Sequence, residues 1–293
     1  MRKWLKAAGW ILALLVLAAA GVVVAGLQLA DSKMQRKVEV SVQPVALPGD
    51  AASLERGKYL YASRGCVDCH GANGGGHMFL DKDGLRIKGP NISPGPGTVV
   101  AAYKPEDWVR SIRHGVHPSG RPIMIMPSED YNRFTDKDLA ALVAYLRSMP
   151  PATGGPAVVE LPLPVRVLYG LGMIQDAAAK IDHGLPPPQP VAEGVTIEHG
   201  KYVANMCIGC HGPQLAGGRI PGGPPDWPPA SRLAPGEDSV MTTRYADVQA
   251  FQALFKTGKR PDGSAVKVMP FESLKQINDV DVRALHLYLT SLK

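Results

Sequence analysis

The chain has 293 residues, 45% of them apolar and 20% charged, which excludes wholesale disorder and leaves room for one large or two ordinary domains. Aromatics make up only 6%, against 32 glycines and 27 prolines, so short helices joined by long ordered loops are expected, folded around something besides side chains. The net charge of +6 is uneven: residues 1–49 carry six basic and two acidic side chains, so the pI near 9.1 reflects the N-terminal segment and predicts no nucleic-acid partner.

Arg2, Lys3 and Lys6 precede an uncharged stretch from Ala7 to Ala30. A helix of that length spans about 30 Å, one hydrocarbon core, whereas the apolar core of a secretory signal is about 7–15 residues. The reading is a single-pass anchor over residues 1–30 with a short cytoplasmic start; Ala18-Ala19-Ala20 leaves a cleaved signal as the alternative. The basic start favours an N-terminus inside the cell, although Lys33, Arg36 and Lys37 weaken the charge argument. Residues 31–49 read as a tether.

The rest of the chain repeats itself. Glu55-x-Gly57-Lys58-Tyr59 returns 143 residues later as Glu198-x-Gly200-Lys201-Tyr202, and Cys66-Val67-Asp68-Cys69-His70-Gly71 returns 141 later as Cys207-Ile208-Gly209-Cys210-His211-Gly212. From Trp108 onward the shift is again 143: Gly115 meets Gly258, Met126-Pro127 meets Met269-Pro270, Asp138 meets Asp281, and Tyr145-Leu146 meets Tyr288-Leu289. Two copies of one mostly helical domain are expected, at 50–150 and 194–293, so the predicted fold class is all-α: two tandem domains after one transmembrane helix. Each copy should close with a helix, from Asp136 to Met149 and from Asp279 to Leu292, capped by Thr135 and Asn278. Residues 151–193 form a Pro-rich linker whose middle, Pro164 to Ile181, is expected to form a short helix packed on one of the domains.

Cys-x-x-Cys-His is the attachment signature of c-type haem. Two thiols three residues apart on a helical turn share a face, and the histidine that follows binds the iron. Cys66, Cys69, Cys207 and Cys210 are thus the expected attachment sites, and His70 and His211 the proximal ligands, for two haems c. All four cysteines of the chain are used. A zinc site or a redox dithiol is the competing reading of such a pair. The repeat register nominates Met126 and Met269 as the sixth ligands; Met124 faces Lys267 and has no methionine counterpart. The Pro90 carbonyl is placed to orient His70; the second copy has Ser231-Arg232-Leu233 there. His77, His114 and His117 lack histidine counterparts and read as surface or loop residues. Trp108, matched by Phe251, reads as core against haem.

With these motifs, both copies resemble class I c-type cytochrome domains, over about 200 residues. The tandem arrangement is similar to the cytochrome subunits of membrane-bound alcohol and gluconate dehydrogenases, which carry three haems where this chain has two motifs, and to the anchored dihaem subunit of some haem-copper oxidases. The resemblance implies haem domains in the periplasm on a single-pass inner-membrane anchor, and one-electron transfer with redox proteins such as a dehydrogenase or terminal oxidase. It implies an electron carrier with no catalytic residues of its own. A dihaem enzyme such as a peroxidase is the alternative.

Overall fold

A computed structural model describes residues 2–292. Helix α1 (Arg2–Gln35) is one helix long and apolar enough to cross a membrane, with mean hydropathy 2.6 over its most apolar window. It runs five residues past the uncharged stretch. Residues 36–49, read as a tether, lie extended along the first half of the chain. The Val38 N–H donates to the Gly120 carbonyl at 2.8 Å, and Val42 and Val45 pack on the first core.

The first half comprises α2 (Ala51–Ser63), α3 (Cys66–His70), α4 (Pro105–His114), α5 (Ser128–Tyr131) and α6 (Asp136–Ser148). Asp50 caps α2 by accepting the Ser53 N–H at 2.9 Å, and Thr135 caps α6 by accepting that of Asp138 at 3.1 Å. Leu139, Leu142, Val143 and Leu146 recur at helical spacing on α6 and meet Leu60, Tyr61, Trp108 and Ile112 in one core.

Two short helices follow: α7 (Leu163–Gly170) and α8 (Ala177–Lys180). The second half comprises α9 (Ile197–Ala204), α10 (Ile208–His211), α11 (Val240–Thr243), α12 (Val248–Thr257), α13 (Phe271–Leu274) and α14 (Asp279–Ser291), around a separate core of Val203, Phe251, Leu254, Leu285 and their neighbours. Asn278 caps α14 as Thr135 caps α6, accepting the Asp281 N–H at 2.8 Å. The leading and closing helices of each half cross at a glycine. A Cβ on Gly57 would fall 2.0 Å from the Ala141 carbonyl oxygen, and one on Gly200 would fall 1.9 Å from that of Ala284. Only glycine permits this backbone contact.

The expectation of an all-α fold needs correction. β1 (Met78–Lys82) and β2 (Leu85–Lys88) form an antiparallel hairpin, and β3 (Val158–Glu160) from the linker adds a third strand on β2. The hairpin closes through Asp83 and Gly84, both at positive φ (51° and 78°), the two-residue turn whose twist matches its strands. The linker differs as well. Its middle forms two helices rather than one, and α7 packs against α1.

The halves meet through reciprocal contacts. The Tyr59 hydroxyl donates to Asp281 Oδ2 at 2.7 Å, and that of Tyr202 donates to Asp138 Oδ2 at 2.7 Å. Each tyrosine oxygen also faces the N-cap N–H of the opposite closing helix, Asn278 at 3.2 Å and Thr135 at 3.4 Å. Within the halves, Arg56 grips Asp138 with two bonds (2.9 and 2.8 Å), and its repeat counterpart His199 pairs with Asp281 at 2.7 Å. Arg64 adds an ion pair from the first half to Asp281, with both side chains buried.

Candidate functional site

Each Cys-x-x-Cys-His motif occupies one helical turn, α3 in the first half and the turn into α10 in the second. Gly71 and Gly212, both at positive φ, stop these turns directly after the histidine. The chain then turns back beside the ring. His70 Nδ1 lies 3.0 Å from the Pro90 carbonyl oxygen, and His211 Nδ1 lies 2.8 Å from that of Ser231. A carbonyl can only accept, so Nδ1 carries the proton and Nε2 keeps its lone pair. That is the tautomer an iron ligand requires, fixed in both histidines by the same kind of backbone contact. Burial lowers the pKa of both rings, which keeps them neutral.

The methionines follow the same plan. Met126 packs against the cluster that holds Cys66, Trp108 and Leu146; Met269 packs against the cluster that holds Cys207, Phe251 and Leu289. Met124 belongs to neither cluster. Each half thus brings a Cys-x-x-Cys-His turn and a Met-Pro loop onto one apolar core. Trp108 is buried there, edge-on to Tyr103, consistent with its reading as core. His77 and His117 are exposed, but His114 is buried on α4 and faces His183 of the linker, Nδ1 to Nδ1 at 3.0 Å. The sequence signal for that burial was its place on the inward face of α4.

The free thiols are not tuned for dithiol chemistry. Burial, the main cause, pushes Cys66, Cys69 and Cys207 up to about 12 and Cys210 to about 11, leaving few thiolates at neutral pH. Among the described residues no three His, Cys, Asp or Glu side chains are grouped to hold a metal ion together.

The two motifs face the seam between the halves, a placement that motif spacing alone does not reveal. Asp68, third residue of the first motif, accepts the Ser273 hydroxyl, while the N–H of Gly209, third residue of the second, donates to Asp130 Oδ1 at 2.7 Å. Asp130 and Ser273 stand four residues after Met126 and Met269. Each Cys-x-x-Cys-His turn is therefore bonded to the short helix, α5 or α13, that follows the other half's methionine. A Cβ on Gly209 would fall 2.8 Å from Asp130 Oδ2, so the small residue allows the carboxylate to reach the backbone. Burial, then the neighbouring Glu129, raises the pKa of Asp130 well above the ordinary range.

Residues 52–146 match the family described as cytochrome c oxidase, cbb3-type, subunit III. This part of the chain is similar to a cytochrome c domain. Similarity to larger proteins runs across both halves. The chain is 28% identical over 279 residues to the fructose dehydrogenase cytochrome subunit of Gluconobacter japonicus, covering 85% of this chain and 54% of that protein. It is 26% identical over 283 residues to the cytochrome c subunit of the quinone alcohol dehydrogenase of Gluconobacter oxydans, covering 84% and 56%. It is 24% identical over 277 residues to the gluconate 2-dehydrogenase cytochrome c subunit of Pantoea cypripedii, covering 84% and 62%. The chain thus spans a little over half the length of these relatives. Its likeness is to cytochrome subunits of dehydrogenases. The cytochrome c family carries covalently attached haem, and the neutral histidines with free Nε2, each beside a cysteine pair, fit that group.

Proposed function

We propose that the chain is a dihaem electron-transfer subunit, anchored in the inner membrane with both haem domains in the periplasm, that serves a dehydrogenase or an oxidase. Residues 50–150 and 194–293 are the two tandem cytochrome c domains. Cys66 and Cys69 hold one haem and Cys207 and Cys210 the other; His70 with Met126 and His211 with Met269 are the axial ligands. When bound, each haem supplies a one-electron iron couple. The protein's residues do the rest. The cysteines fix position, Pro90 and Ser231 orient the histidines, and the apolar cores keep water from the ligands.

The observation that carries this reading is the repetition of the whole site: the same turn, the same imidazole tautomer and the same methionine position occur in both halves. Because the motifs share the seam between the halves, an electron entering one domain has its exit beside the other. The test is a pyridine haemochrome assay on the purified chain and on a Cys207→Ala/Cys210→Ala variant. Two haems per chain are expected for the first and one for the second. One haem in both would remove the second site from the reading.

A further inference from the structure

Helix α7 lies against the membrane helix at a definite height. Gly26 and Ala30 are the buried residues of α1. A Cβ on Gly26 would fall 2.8 Å from Val167 Cγ1, and one on Gly170 would fall 1.9 Å from the Gly26 carbonyl oxygen and 2.9 Å from the Ala30 nitrogen. The two backbones touch at a pair of glycines. Polar contacts lock the arrangement on the side away from the apolar stretch. Arg36 donates to both oxygens of Asp176 at 2.7 Å, and Asp176 accepts the Tyr169 hydroxyl at 2.7 Å. Arg166, the only charged residue of α7, pairs with Asp31 at 2.7 Å.

These contacts fix where α7 sits relative to a bilayer. Gly26 lies four residues, about 6 Å, inside the outer end of the uncharged stretch Ala7–Ala30. Asp31, Lys33, Arg36 and Lys37 come next, at the level of the headgroups. Yet Leu163, Leu171 and Met173 stand 54%, 45% and 72% exposed on α7 and the turn after it. Apolar side chains at that depth, continuous with a helix that crosses the membrane, meet acyl chains rather than water.

We infer that Leu163 to Met173 form a second membrane contact, lying in the interface of the leaflet from which α1 emerges. Its partner is the lipid bilayer. The inference rests on the reading of α1 as a membrane-spanning anchor. One helix alone would leave the haem domains free to swivel; with α7 embedded beside it, their height and tilt above the surface are set. The arrangement reaches the first half directly, because α8 follows α7 and Lys180 pairs with Glu129 at 2.6 Å, next to Asp130.

The test uses the full, haem-loaded chain in phospholipid nanodiscs. Covalent haem attachment consumes the four native thiols, so one introduced cysteine at a time can carry a nitroxide. The positions are Met173→Cys, Leu15→Cys on α1 and Val159→Cys on β3, all solvent-facing in the isolated chain. With the haems reduced, collision of each label with oxygen and with a water-soluble nickel chelate is measured. The expectation is that Met173→Cys falls between the two controls, below Leu15→Cys in the hydrocarbon core but with an oxygen-to-nickel ratio several-fold above that of Val159→Cys. If Met173→Cys resembles Val159→Cys while Leu15→Cys remains in lipid, the second contact is refuted and the anchor stands. If Leu15→Cys is also water-accessible, the anchor itself fails. A label at 173 shielded from both reagents would mean that protein, not lipid, covers α7, and would overturn the inference as well.

Discussion

In the proposed sites a single methionine in each half, Met126 and Met269, is the sixth iron ligand, nominated by repeat register. Met126→His should abolish about half of the near-infrared band of ferric His/Met haem while the haem stays six-coordinate, and Met124→Leu should leave the band intact. An unchanged band in Met126→His would assign the first site to another ligand. His114 makes a second prediction. Burial, then His183, then the nearby arginines bring it down to about 4, below its ordinary 6.5. A depressed histidine pKa means that the unfolded chain binds more protons between those values. The stability it contributes is complete above pH 6.5 and is lost as the pH falls toward 4. The loss amounts to about 3 kcal/mol at most. Denaturant midpoints measured from pH 7 to pH 4 should fall steeply in the native chain and less steeply in His114→Phe.

At the scale of elements, the crossing of leading and closing helices is the tightest constraint. Gly57→Ala or Gly200→Ala would drive a methyl group into a backbone carbonyl, which no rotamer change relieves. Each should cost about 3 kcal/mol or more, read as a lowered unfolding midpoint, with the larger effect in the half that carries the substitution. Short-range features such as these helices were legible in the sequence. Thr135 and Asn278 cap where expected because a cap needs only its own next three residues. The hairpin was legible too, in Asp83-Gly84 between alternating apolar and charged residues, but the surrounding glycines and prolines masked it as loop. Strand β3 and the docking of α7 were not legible. Val158 pairs only because β2 is already there, and α7 finds Gly26 across more than 130 residues of chain.

For the whole molecule, the seam between the halves depends most on Asp281. Burial alone would raise its pKa, but Arg64, Tyr59 and His199 outweigh that and bring it down to about 2. Its contribution to stability is therefore full above about pH 4 and is lost as the pH falls toward 2. Asp281→Asn leaves the Arg64 charge buried without its partner and should cost about 3–5 kcal/mol. Asp138→Asn should cost less, because its partner Arg56 is 20% exposed where Arg64 is 3% exposed. Comparing the two midpoints by denaturant titration checks the order; an equal loss would mean that Arg64 finds other partners. The sequence displayed Tyr59, Tyr202, Asp138 and Asp281 as matched identities. It could not display that each tyrosine reaches the other half's aspartate, because a repeat aligns residues and does not pair them.

That crossed pairing is the contact pattern of an isologous dimer, in which one patch meets its own copy. In a true homodimer every substitution at such an interface occurs twice, so the two sites stay identical. Here both patches belong to one polypeptide and each position can change alone. Arg56 stands opposite His199, Asp130 opposite Ser273, and Asp68 opposite Gly209. Only one of the two Cys-x-x-Cys-His turns has the N–H of its third residue against a half-buried carboxylate from the other half. Covalent union thus lets a symmetric scaffold hold two unlike electrostatic environments side by side, which a downhill electron path requires and a symmetric pair of subunits cannot provide.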